Sequence, residues 1–407
     1  MECGIVWIMA AEIEFLPRGT VTSPEGFFAG ATSAGINERA ADKLDLAVLF
    51  SEAPCLAAAV FTDTKLKAAP VLLSQQRLKE REKFGAVVVN SGCANAYVGE
   101  QGLVDAAEMA GLVGEGIGVA PEDVLVASTG VIGVPLPMEK IRASVDRIIL
   151  ARDGGDQLAK AIMTTDSFAK EAAVRVKGGK TGFTIGAAAK GSGMIHPNLA
   201  TLLGFITTDA AVEKDFLQKA LKKAVDASFN MISVDGDTSP NDMVLVMANG
   251  LAGDVPPAPF EQALEQLCIY LAKLLARDGE GATRLIETTV GGAVDLAQAR
   301  AAARAVVSSS LVKAAVYGAD PNWGRIMAAV GRSGAEIKES KFDLSIGKIA
   351  VVKSGKPLPF NEPAVIKLLK GEEVPVSINL NLGSGQATAW GCDLSPEYVT
   401  INSQYMT

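Results

Sequence analysis

Thr201 follows Ala200 inside the stretch KGSGMIHPNLATLLGFITTD, Lys190 to Asp209, where Gly, Ser, His, Asn and Thr interrupt an otherwise apolar run. A threonine hydroxyl is a poor nucleophile at neutral pH unless a base lies within hydrogen-bond reach. The 407 residues include one histidine, His196, so that base has to come from elsewhere. An α-amine can supply it. Breaking the Ala200–Thr201 peptide bond would place an amine with an unperturbed pKa of ~8 on the same residue as the hydroxyl. The break itself could be autocatalytic: the hydroxyl attacks the Ala200 carbonyl, and water hydrolyses the resulting ester. A small residue before the bond leaves room for that attack. On the dipeptide alone, a threonine packed in a buried strand is the simpler reading.

The other candidate chemistries are thinner. One histidine excludes any site needing two imidazoles. A Ser-His-Asp triad through His196 is formally available, but no G-x-S-x-G turn singles out a serine, and a lone histidine in an apolar segment more often makes a structural hydrogen bond. The carboxylate pairs Asp235 with Asp237, and Asp278 with Glu280, suit acid/base or metal work, yet such pairs commonly shape turns and end helices. The segment GGKTGFT, Gly178 to Thr184, fails as a phosphate loop because Val174 stands where the first glycine belongs. The run GEGIG, Gly114 to Gly118, lacks dinucleotide spacing and follows a helix. Five cysteines, Cys3, Cys55, Cys93, Cys268 and Cys392, are odd in number and widely spaced, which argues against a disulfide framework and a zinc site.

The elements that must position these residues alternate between α and β. Apolar runs at Ala47 to Phe50, Ala86 to Asn90 and Asp123 to Ser128 have the length of buried strands. Helical periodicity marks Glu100 to Val113, Glu213 to Phe229, Phe260 to Arg277 and a stretch from Leu296 to Val316. A polar turn cluster between Ile232 and Gly250 leads into a buried strand, and the tail from Val376 to Thr407 is strand-like over its first half. With 49% hydrophobic residues the chain can bury a large core. A net charge of −8 with 21% charged residues offers no basic stripe for phosphates, so nucleic acid is not an expected partner and a small molecule is. The uncharged windows Gly191 to Thr208 and Val124 to Met138 are too broken or too short to span a membrane. The first residues have no basic segment ahead of an apolar one, which points to the cytoplasm.

Taken together, several segments are similar to one family. They are GTVTSPEGFFAGATSAGI from Gly19, VVNSGCANAYVGEQG from Val88, ASTGVIG from Ala127, MTTDSFAKE from Met163 and the stretch from Lys190 quoted above. VDGDTSPND from Val234, DGEGATRLIE from Asp278, YGADPNWGRI from Tyr317 and the tail follow in order. Over essentially its full length the sequence resembles the glutamate N-acetyltransferases, or ornithine acetyltransferases, of arginine biosynthesis.

The resemblance implies an α/β protein with a layered αββα sandwich of the N-terminal-nucleophile type. It implies self-cleavage between Ala200 and Thr201 into an alpha chain, 1–200, and a beta chain, 201–407, that remain one packed body. The absence of any linker composition near residue 200 agrees with a scission inside such a body. By the same resemblance, Thr201 carries an acetyl group from N-acetylornithine to glutamate in a ping-pong cycle, with acetyl-CoA an additional donor in some members. Thr129 and Gly130 correspond to the oxyanion-stabilising pair. Thr164 or Thr165, Lys190, Glu280, Asn402 and Thr407 match positions that hold substrate. Two copies of each piece are expected to assemble, and neither metal nor cofactor is. The sequence departs from the family's common residues at Cys93, Leu199, Leu202 and Met406, none a proposed catalytic group, and Met9 is a second candidate start. Two rivals are an amidase or aminopeptidase that uses water in place of glutamate, and an unprocessed amino-acid-binding protein.

Overall fold

A computed structural model describes residues 12–36, 42–177, 182–196 and 202–404. Ala200, Thr201 and Thr407 lie outside the described residues.

The longest apolar runs form a nine-stranded mixed sheet. Its strands lie in the order Glu12–Phe15, Lys170–Lys177, Phe183–Lys190, Leu203–Ala211, Met243–Asp254, Leu46–Phe61, Lys83–Asn90 and Val124–Ser128. The remaining strand, Phe27–Thr32, pairs with the first half of Leu46–Phe61, whose second half pairs with Met243–Asp254. Phe183–Lys190 and Val124–Ser128 are buried at every position, so they read as continuous apolar runs rather than as alternating ones.

Side-chain alternation sends Ile185, Ala187, Ile206, Val244 and Val246 to one core and Ala188, Leu203, Phe205, Leu245 and Met247 to another. The first core is closed by the helices Lys214–Ala227 and Pro257–Arg277. The longer of these starts with proline in its first turn and buries Phe260, Ala263, Leu264, Leu267, Leu271 and Leu275 on one stripe. The second core packs around Leu158, Ala159 and Ala161 of the helix Gly155–Ala161.

A seven-stranded sheet follows in the C-terminal part, ordered Lys356–Pro357, Ile349–Lys353, Asp343–Ile346, Glu373–Asn379, Leu285–Ala293, Gly385–Cys392 and Ile232–Ser233. Helix Leu296–Val307 packs on Gly385–Cys392 and Leu285–Ala293, while Pro257–Arg277 reaches the edge formed by Gly385–Cys392 and Ile232–Ser233. Two sheets bearing layered helices give the α/β architecture expected from sequence.

One helical expectation changes. The stretch from Leu296 to Val316 is two helices, Leu296–Val307 and Ser310–Tyr317. Ser308 turns its hydroxyl back to the Arg304 carbonyl at 2.8 Å, and Ser309 caps the second helix by accepting the Val312 N–H at 3.5 Å. Among the described residues no helix is long and apolar enough to cross a membrane.

Candidate active site

Four neighbouring strands of the large sheet present their ends side by side, where register fixes their neighbours. Lys190 ends its strand opposite Leu203, Leu203 lies opposite Met243, and Lys170 lies opposite Ala189. Strands ~4.8 Å apart therefore bring the ends of these segments together. The turn Thr129–Gly130 leaves the end of Val124–Ser128 and lies beside Cys93.

Thr129, Gly130, Thr164, Thr165, Lys190 and Glu280, all expected from sequence to serve the reaction, line one pocket of about 60 Å³. Among the described residues, Ala94, Ile132, Gly193, Met194, Ser239 and Asn241 also line it. Lys190 is 2% exposed and donates to the Thr164 hydroxyl at 2.8 Å and the Thr129 hydroxyl at 3.3 Å. Burial pushes its pKa down, and Asp166 opposes that shift. Thr165 exchanges a hydrogen bond of 2.6 Å with Ser192 and makes none with Lys190, so the two neighbouring threonines have different partners.

Gly130 has φ of +130°, and a side chain there would lie 2.3 Å from the Gly92 carbonyl carbon. Its N–H has no backbone acceptor among the described residues. An unengaged N–H beside a threonine hydroxyl is a donor pair suited to an oxyanion. Glycine matters again at Gly193, where a Cβ would meet the Glu280 carboxylate at 2.4 Å. That gap lets the carboxylate lie against main chain. The Glu280 N–H donates to the Ser192 carbonyl at 2.8 Å. Asn402, on the helix Pro396–Gln404, donates to the Glu280 carboxylate at 2.7 Å. His196 pairs with the Ser233 hydroxyl at 3.1 Å, a structural contact, and burial lowers its pKa.

Next to the pocket residues Thr164 and Lys190 is a buried ion cluster of which the sequence reading singled out Asp278 alone. Lys170 bonds Asp166 at 2.7 Å and Asp278 at 2.5 Å, with the lysine side chain fully buried. Asp166 also accepts the N–H groups of Gly191 at 2.7 Å and Thr164 at 3.0 Å. Asp278, at the end of the helix Pro257–Arg277, accepts the Ser167 N–H at 3.0 Å. Asp166 and Lys170 lie four residues apart within MTTDSFAKE, a spacing with no bearing on a loop and strand start until the fold is known.

Burial alone would raise Asp166, but Lys190, Lys170 and the Gly191 N–H outweigh it and hold the carboxyl at about 2. Its folded pKa lies below its unfolded value of 3.8, so the group stabilises the fold above pH ~4 and loses that contribution as pH falls toward 2. Replacing Lys170 with Met leaves two buried carboxylates without their shared cation. We expect Lys170→Met to lose about 3–5 kcal/mol at pH 7 in urea titrations. A loss under about 1 kcal/mol, the range of exposed ion pairs, would contradict this reading.

Asp242 is also new. It is 1% exposed, accepts the Leu202 N–H at 2.8 Å, and sits at the start of Met243–Asp254. It therefore grips the main chain one residue past Thr201. The motif VDGDTSPND contained this residue, but nothing in its spacing separated Asp242 from Asp235 and Asp237.

The profile of the ArgJ family matches residues 28–407. The arginine biosynthesis bifunctional protein ArgJ of Dehalococcoides mccartyi is 52% identical over 98% of this chain and 100% of the relative. That of Symbiobacterium thermophilum is 53% identical over 96% and 99%. Among solved structures, ArgJ from Bacillus halodurans matches at 48% identity over 49% of this chain and 98% of that one, with a TM-score of 0.48. The ornithine acetyltransferase of Mycobacterium tuberculosis, complexed with ornithine, matches at 38% identity over 46% and 100%, with a TM-score of 0.42. A profile spanning residues 28–407 and two relatives above half identity along nearly the whole length leave one conclusion: the chain belongs to the ArgJ family.

Proposed function

We propose that the chain transfers the acetyl group of N2-acetylornithine to glutamate, releasing ornithine and forming N-acetylglutamate, through an acetyl ester on Thr201 after scission of Ala200–Thr201. The observation that carries this reading is the single pocket joining an oxyanion donor pair, Thr129 and Gly130, to a buried cation, Lys190, and a carboxylate, Glu280. These are the groups that an amide carbonyl and an amino acid with opposite charges require.

In the first half-reaction the Thr201 hydroxyl attacks the acetyl carbonyl while its own α-amine takes the hydroxyl proton. The Thr129 hydroxyl and Gly130 N–H receive the developing oxyanion. Collapse returns the proton to the departing ornithine amine and leaves the ester. In the second half-reaction the glutamate amine attacks that ester, with the roles reversed. Lys190 pairs with substrate carboxylate, and Glu280, steadied by Asn402, holds ammonium. Thr164 or Thr165 and Thr407 complete the substrate contacts in this reading. Acetyl-CoA serves as an alternative acetyl donor.

Strand Leu203–Ala211 supports the idea that both pieces stay together. It is bonded on one side to Phe183–Lys190, before the cut, and on the other to Met243–Asp254, after it. A break just ahead of this central strand leaves its ladders intact. In the same reading the enzyme works in the cytoplasm as two alpha and two beta chains.

The test is the denatured intact mass of the purified protein with N-terminal sequencing, followed by product analysis with and without glutamate. Two species each close to half of 42.2 kDa, one beginning Thr-Leu-Leu-Gly, and ornithine release dependent on glutamate are expected. A persistently uncut chain would overturn the mechanism, and ornithine release at full rate without glutamate would make the enzyme a hydrolase. Glu280→Gln retains an acceptor for Asn402 but loses the charge that pairs with ammonium. Its KM for N-acetylornithine or glutamate should rise ~10- to 50-fold with a smaller change in kcat, as loss of one charge-assisted hydrogen bond entails. Initial-rate kinetics with either substrate varied provide the check.

A further inference from the structure

Glu280 lies between two pieces of chain, and both are tied to one carboxylate, Asp235. On one side is the bend at Gly193 and Met194, where a Cβ on Gly193 would meet the Glu280 carboxylate at 2.4 Å. On the other is the helix Pro396–Gln404, whose Asn402 donates to Glu280 at 2.7 Å. Asp235 accepts the Met194 N–H at 2.5 Å and the Ile195 N–H at 2.9 Å, which holds the bend. It also accepts the Tyr398 hydroxyl of the helix at 3.3 Å, and the Asp237 N–H at 3.4 Å within its own turn.

Both pieces depend on such contacts. Met194 takes φ of +53° with its side chain exposed, a conformation that persists where surrounding contacts over-determine it. The helix buries none of its nine residues, so polar contacts carry much of its attachment. Besides Tyr398 and Asn402, these include the Ser395 hydroxyl, just ahead of the helix, which donates to the Gly281 carbonyl at 2.6 Å. Asn402 also donates to the Tyr398 carbonyl at 3.0 Å, so the residue that reaches Glu280 is bonded to the one that reaches Asp235. The two carboxylates are near enough to repel each other. Burial raises the Asp235 pKa, the N–H groups of Met194, Asp237 and Ile195 oppose the rise, and Glu280 adds to it.

On the reading above that Glu280 holds substrate ammonium, we propose that Asp235 and Tyr398 are positioning residues for Glu280. Asp235 ties the bend and the helix to one point, and so sets the direction in which the Glu280 carboxylate meets the ammonium. Asp235 itself touches no substrate in this arrangement. Removing its charge leaves the bend and the helix independent, and Glu280 keeps its chemistry but loses its aim.

The experiment compares Glu280→Gln, Asp235→Asn, Tyr398→Phe and the doubles that combine each of the last two with Glu280→Gln. Thermal melting and initial rates of acetyl transfer, with N-acetylornithine or glutamate varied, are measured against the parent. For the substrate that Glu280→Gln weakens, Asp235→Asn should raise KM ~10-fold and Tyr398→Phe ~3-fold, with kcat within ~2-fold of parent. In the Glu280→Gln background either change should add less than ~2-fold, because a residue that works through Glu280 has nothing left to aim. Full additivity would overturn the proposal, since an anion acting on the ammonium through space, or a general loss of stability, persists without Glu280. An Asp235→Asn protein with parental KM would overturn it too, as would one that loses only kcat. Tyr398→Phe changes no charge and removes a single hydroxyl. Should Asp235→Asn fail to melt cooperatively, parental KM in Tyr398→Phe overturns the proposal and a rise absent from its double supports it. A parent without acetyl transfer, or Glu280→Gln with parental KM, would instead refute the underlying reading of Glu280, so the two failures are distinguishable.

Discussion

Thr201→Ala is expected to yield one uncut species of 42.2 kDa, even after prolonged incubation of folded protein, and to lose acetyl transfer by at least ~1,000-fold. The substitution removes the attacking hydroxyl, so no ester forms at Ala200 and no α-amine is released. Two catalytic groups vanish with one atom. The fold itself should be spared: Leu202 remains tied to Asp242, and Leu203–Ala211 keeps its ladders to both neighbours. Thr201→Ser retains the hydroxyl and should be cut, with transfer reduced far less. Intact mass and the rate of ornithine formation decide the matter. A cut Thr201→Ala chain, or an uncut one with more than about a hundredth of parental activity, would show that the nucleophile lies elsewhere.

Much of the scaffold was legible because buried strands of a mixed sheet are continuous apolar runs. Ala86 to Asn90 and Asp123 to Ser128 fall within or one residue outside the observed strands, and Phe260 to Arg277 within the observed helix. The periodic stretch ending at Val316 misled for a local reason. Its apolar spacing continues across Ser308 and Ser309, whose hydroxyls satisfy backbone groups and break the helix. Pocket residues such as Thr129 and Lys190 were legible through motif resemblance, since singly a lysine or threonine at a strand end has no distinguishing period. Residues that act through others were harder. Lys170, Asp166 and Asp278 meet only because the helix Pro257–Arg277 ends against the start of the strand Lys170–Lys177, more than a hundred residues away in sequence. Asp242 was hidden for the same reason: its tie to the Leu202 N–H spans forty residues of sequence.

Lys190→Met should produce the second large effect, because this one ammonium serves several partners at once. It donates to Thr164 and Thr129 and acts electrostatically on Asp166 from a fully buried position. Methionine fills similar volume but supplies no donor, so the Thr129 hydroxyl loses the partner that orients it toward an oxyanion. A charge-assisted hydrogen bond is worth ~1.5–3 kcal/mol, and losing both the substrate contact and Thr129 orientation should lower kcat/KM ~100- to 1,000-fold. Stability supplies a second readout with a defined pH window. Removing Lys190 lets the Asp166 pKa climb from about 2 toward its unfolded 3.8, with Lys170 still holding part of the shift. The stability that Asp166 contributes through Lys190 is fully present above pH ~4 and disappears in both proteins as pH approaches 2. That share of the gap between parent and Lys190→Met should therefore close over this window, which urea titrations at stepped pH would follow. A gap of constant size from pH 7 to pH 2 would mean that Lys190 acts only by filling space, and that Asp166 draws its low pKa from Lys170 and the Gly191 N–H alone.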